Sequence, residues 1–217
     1  AGNITSLIYR AFGKPFNEED KSLLGAPFAQ FVKLNTELRH LWNIDKNNAI
    51  ASRMAVGALF TYGNATIAPY SEQFYVGGAN SIRAFTVRSV GPGGYHPEEG
   101  KYSYLDQTGT FRFEANVEYR FRILGDLHGA IFLDAGNVWL MRKDETRPNG
   151  QLTLKNFPKQ VALGTGAGLR YDLDFLVFRF DWGVALHDPY DTGKKGYYNI
   201  PKFKDGMAWH FAIGYPF

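Results

Sequence analysis

Apolar and polar side chains alternate with a period of two along most of this chain, the signature of strands whose two faces meet different surroundings. The clearest segment runs from Phe111 to Ile123. Phe111, Phe113, Ala115, Val117, Tyr119, Phe121 and Ile123 share one face, and Arg112, Glu114, Asn116, Glu118, Arg120 and Arg122 the other. The same rhythm predicts strands over about 3–13, 28–44, 49–63, 127–141, 160–174, 175–187 and 207–217, eight in all, with no helical period anywhere. Asp45–Asn48, Leu124–Asp126 and Leu173–Phe175 read as tight turns. The intervening connections 14–27, 64–110, 142–158 and 188–206 are long.

The expected fold is therefore all-β and antiparallel. Most of the segments exceed the ~5–6 residues of a typical soluble strand. At ~3.3 Å per residue and a ~45° tilt they are long enough to cross a bilayer. Large aromatics lie near strand ends on the apolar parity, among them Tyr62, Tyr119, Trp139, Tyr171, Trp182, Trp209 and Tyr215, as an interfacial girdle requires. Charges keep to the opposite parity, where they escape the ~2–4 kcal/mol penalty of facing lipid at mid-membrane. Short turns at one end and long loops at the other complete the pattern of a transmembrane β-barrel. A soluble sandwich, its apolar faces packed on one another, is the alternative on pattern alone. Eight strands with lipid-facing edges are not viable as an open sheet. They must close on themselves, pair with a second copy, or be half of a larger barrel.

Composition narrows the function. The 217 residues are 45% apolar and 16% aromatic, too apolar for a disordered chain. A net charge of +3 gives no reason to expect nucleic acid. Cysteine is absent, which removes disulfides, thiolate metal sites and a Cys nucleophile. No apolar run approaches a membrane helix. No signal peptide is visible before the first patterned segment, so the chain reads as a fragment or a processed piece. The histidines (40, 96, 128, 187 and 210) form no spaced ligand pair, and no metal or cofactor is expected. Gly164-Thr165-Gly166-Ala167-Gly168 lacks the strand-to-helix setting of a dinucleotide site and reads as close backbone packing or as room for an inserted loop. No nucleophile elbow occurs, and no enzyme is expected.

The long loop chooses among the closures. It contains Phe74-Tyr75-Val76-Gly77-Gly78, then Ile82-Arg83-Ala84-Phe85, then Gly91-Pro92. This resembles the signature loop of BamA/TamA-type outer-membrane assembly proteins, the bacterial surface antigen superfamily, in a Bacteroidota-like variant; Ala84 stands where that family usually has Gly. Phe132-Leu133-Asp134-Ala135-Gly136-Asn137-Val138-Trp139 resembles the family's Asp-x-Gly strand, and Phe175–Asp181 its penultimate strand. With three strands before the loop and five after it, the resemblance implies the last eight of about sixteen strands.

It further implies that loop 64–110 enters the barrel lumen, that Arg83 holds it there against Glu118 and Asp134, and that Gly77, Gly78, Ile82, Ala84, Phe85, Gly91 and Pro92 shape it. An arginine fork suits that task, because it meets carboxylates in two parallel hydrogen bonds. The last segment, with Trp209, Phe211, Gly214, Tyr215 and Phe217, resembles the barrel-targeting signal of outer-membrane proteins. The implied setting is the bacterial outer membrane. The implied partners are its lipid, client outer-membrane or secreted proteins, and a missing N-terminal barrel half or a second copy. The implied role is insertion or translocation of proteins. A passive or structural pore and the barrel of a membrane-associated lipase are the rival readings.

Overall fold

The computed structural model describes residues 22–23, 26–27, 29–62, 67–97 and 107–217. The segment expected as strand 3–13 lies outside them. A two-residue ladder, β1 (Ser22–Leu23) on β2 (Ala26–Pro27), precedes the main sheet. That sheet has seven antiparallel strands in chain order: β3 (Gln30–Asn43), β4 (Asn48–Tyr62), β5 (Phe111–Leu124), β6 (Leu127–Trp139), β7 (Ala162–Asp172), β8 (Val177–His187) and β9 (Met207–Ile213). Six of them run for 11 to 15 residues. Among the described residues, β3 and β9 each pair on one side only.

One face of this sheet is exposed and apolar. Val117, Ile131, Leu133, Leu169, Phe180, Trp209 and Phe211 all stand on it. Aromatic rings stack across its last two strands, with Phe180 and Trp182 lying 5.5 and 5.7 Å from Trp209. Among the described residues no second layer of protein covers these rows, so the sandwich alternative is set aside. Leu133 sits in the middle of β6 on this face. The Leu133→Arg variant is expected to lose about 2–4 kcal/mol of stability when folded into vesicles, readable as a lower urea midpoint. An arginine placed on an exposed turn instead, Lys46→Arg, is expected to cost nothing measurable.

Over β4 to β9 much of the other face is covered by the described part of loop 64–110 and is not uniformly polar, whereas β3 is exposed on both faces from Val32 to Asn43. Val76, Ile82, Phe85 and Val90 of the loop pack on Leu59, Val138, Ala162 and Ala185 of the strands in a dry cluster. Inward parity carries polar residues where it would meet water; here the folded-in loop gives it something apolar to bury against. Val76 and Ile82 are fully buried, each contributing about 1.5–3 kcal/mol by leaving water.

The last segment also differs from its alternation. β9 stops at Ile213. Gly214 turns the chain in the left-handed region (φ +84°) with open space around it, so glycine is there for its conformation. Pro216, beyond the end of β9, has no N–H with which to resume the ladder. Pro216 is buried, and Phe217 lies on the inner side rather than on the lipid face where period two would put it.

Candidate functional site

The site is built where the loop meets the inner wall of β4 to β9. Gly77 and Gly78 both have positive φ, and a Cβ at Gly77 would lie 2.1 Å from the Thr86 carbonyl oxygen. They let the loop double back, closed by Gly78 N–H donating to Phe85 O (2.8 Å) and Arg88 N–H to Val76 O (3.0 Å). Ile82 at 0% exposure fills the apolar cluster, and Arg83, the next residue, points the opposite way.

Arg83 is completely buried. Its Nε and Nη2 donate to the two carboxylate oxygens of Asp134 at 2.8 and 2.9 Å, a two-pronged pair, and its backbone N–H donates to Asp134 as well at 3.0 Å. Nη1 donates to Glu118. The guanidinium lies 3.6 Å over the Phe132 ring. Glu118 also accepts from Arg120 Nε (2.7 Å) and Arg170 Nη2 (3.0 Å), and Arg170 continues to Asp181 (2.6 Å). Asn116 Nδ2 donates to Asp134 and to Ser81 O, both at 2.8 Å. On the far side Arg53 reaches Glu114 (2.7 Å), which also takes the Ser81 hydroxyl (2.8 Å). Alternating signs and shared acceptors offset much of the cost of burying these charges, while Arg170 Nε and Asp181 Oδ2 make no hydrogen bond among the described residues.

The glycines of β7 and β8 give this loop its seat. A Cβ at Gly164 would lie 2.3 Å from the Ala84 methyl, and one at Gly183 would lie 2.3 Å from the Arg83 carbonyl oxygen and 2.8 Å from the Ala84 Cα. The methyl of Ala84, where the motif usually has none, fits because Gly164 has none either. Further along, Gly91 lies against Asn137 and Val138. Gly93, just past Pro92, donates its N–H to Val138 O (2.7 Å) and accepts from Asn137 Nδ2 (2.9 Å). Near the end of the described loop His96 stacks on Tyr190 of the 188–206 connection at 3.9 Å. There burial pushes the Asp188 carboxyl up, and burial beside that group pushes the Tyr190 hydroxyl up to about 12.

Arg83 thus holds Glu118 and Asp134 at once, and Gly77, Gly78, Ile82, Ala84, Phe85 and Gly91 lie along the same loop. Of the last segment, Trp209, Phe211 and Tyr215 are exposed, whereas Phe217 is drawn toward the arginines. Sequence reasoning passed over Asn116, Arg170 and Asp181, although each sits on the polar parity of its strand. It also passed over His210, weighed only as a metal ligand: its Nε2 donates to the Arg83 carbonyl at 2.8 Å.

Long strands with an apolar outer face, closed inside by a folded-back loop on a buried arginine, define a segment of an outer-membrane β-barrel. The chain belongs to the Omp85 superfamily, whose domain model matches residues 21–217. It is 26% identical over 201 residues to the outer membrane protein assembly factor BamA of Nitratidesulfovibrio vulgaris, covering 91% of this chain and 22% of that protein. The crystal structure of BamA from Haemophilus ducreyi lacking POTRA domains 1–3 shares the fold, with a TM-score of 0.58 at 17% identity over 88% of this chain and 36% of that one. The chain therefore spans about a fifth of the curated relative's length.

Proposed function

We propose that this segment is the C-terminal half of a barrel of about sixteen strands that inserts or translocates proteins at the bacterial outer membrane. Its partners are the N-terminal half of that barrel, which closes it, and client outer-membrane or secreted proteins. The role is mechanical: the loop is held inside by Arg83, and the edge of β9 offers backbone groups to a client strand, as unpaired edges do. The observation that carries this reading is the buried fork of Arg83 on Asp134 with Glu118 as second acceptor. Family membership and likeness to an assembly factor support it.

The test is complementation. Cells depleted of the full-length protein and supplied with the Arg83→Ala variant are expected to lose assembled outer-membrane proteins several-fold at equal levels of the variant itself. Normal client levels would count against insertion and in favour of a passive or structural pore.

A further inference from the structure

The inner side of β9 is fastened to the inserted loop at two places far apart in sequence. In the β8–β9 ladder His210 stands opposite Asp181, on the inner parity. Its Nε2 lies 2.8 Å from the Arg83 carbonyl oxygen. A carbonyl only accepts, so this nitrogen carries the proton and donates. The same carbonyl rests on Gly183, where a Cβ would lie 2.3 Å away, so loop and strand meet with no intervening side chain. The second fastening follows β9. After the turn at Gly214, the tail crosses the inner face to β5. The Arg120 guanidinium lies 4.3 Å over the Tyr215 ring, and Arg120 Nη2 donates to the Phe217 carbonyl (3.3 Å). The Phe217 ring has three guanidinium groups around it, Arg53 at 5.5 Å and Arg83 and Arg120 at 5.8 Å. Two of these arginines hold the loop itself, Arg53 through Asn80 and Arg83 through its own fork. A ring with a negative face among cations is attracted to each of them.

We infer that loop and last strand form one latch, with His210 and Phe217 as positioning residues. β9 cannot swing away from β8 while Arg83 stays seated, and unseating Arg83 frees β9. Coupling of this kind is reciprocal, so a change at either fastening is felt by both elements. The inference deepens the insertion reading and rests on it for its purpose: β9 can move its outer edge toward a client strand only when the loop lets go.

The test is hydrogen exchange on the full-length protein in lipid vesicles with no client present. Two sets of amides are followed: those of β9 bonded to β8, and Gly78 and Phe85, which close the loop on itself. Exchange reports local opening. The His210→Ala variant is expected to speed both sets about tenfold, the ratio one lost hydrogen bond produces. The His210→Gln variant, whose amide still donates, is expected to recover most of the protection. Phe217→Leu keeps the apolar bulk but removes the ring face, and is expected to speed both sets as well; it serves also if His210→Ala does not reach the membrane. Faster exchange confined to β9, with the loop amides unchanged, would overturn the latch, as would no change in either set. Because no client takes part, the latch and the insertion reading fail separately: tolerated Arg83→Ala in cells removes insertion, and uncoupled exchange removes the latch.

Discussion

The Gly183→Val variant is expected to fold its sheet and yet fail to seat the loop. A Cβ at this position meets the Arg83 carbonyl carbon and oxygen at 2.7 and 2.3 Å and the Ala84 Cα at 2.8 Å. These are backbone atoms, which cannot rotate aside as a side-chain tip can, so the loop must lift as a unit. Lifting takes Arg83 from Asp134 and Ile82 from its apolar cluster together. Trypsin reads the outcome: Arg83 is fully buried in the native arrangement and resists cleavage, whereas the variant is expected to be cut after it quickly. Gly164→Ala tests the neighbouring seat and comes with its own correction. The added methyl collides with that of Ala84 at 2.3 Å, while the next nearest atoms are 3.5 Å away. Pairing it with Ala84→Gly should therefore restore protection, with no such rescue open to Gly183→Val.

Asp134→Ala is expected to destabilise the seated loop by about 3–5 kcal/mol, because it leaves a buried arginine deprived of its two-pronged partner. Three hydrogen bonds from Arg83 and one from Asn116 go with the carboxylate. Glu118 cannot compensate in full, since it already serves Arg120 and Arg170. The double variant Arg83→Leu with Asp134→Leu is expected to lose less than the sum of the two single changes. Removing both members leaves Glu118 with two arginines and no bare charge at position 134. Urea titration of the vesicle-folded protein, followed by protection of the loop from protease, gives all the terms of that cycle.

Both experiments turn on features that differ in how far they could be read from sequence. The two faces of β5 are legible because lipid and lumen sort its side chains without exception from Phe111 to Ile123. Arg83, Glu118 and Asp134 could be named because the loop motif and strand parity point at the same few side chains. Three things were hidden. The apolar cluster around Ile82 breaks the rule that inward means polar, since a loop distant in sequence supplies its other half. Phe217 continues the alternation of β9 on paper, but the left-handed turn at Gly214 redirects it inward. Asn116, Arg170, Asp181 and His210 had the right parity and no sign of which partner they would meet, because that depends on register between strands. The glycines of β7 were readable as space; which atom fills each space was not.

Strands that neighbour one another in chain order can pair one hairpin after another, each as soon as it is made. The charged lattice on the inner face obeys no such schedule. It draws on Arg53 of β4, Glu118 of β5, Asp134 of β6, Arg170 of β7, Asp181 of β8 and His210 of β9, and forms only when all of these stand in final register. Its contacts span most of the chain, and such contacts come late in folding. Docking of the loop therefore depends on every one of these strands at once: a wall with a slipped or absent strand would offer Arg83 an incomplete socket.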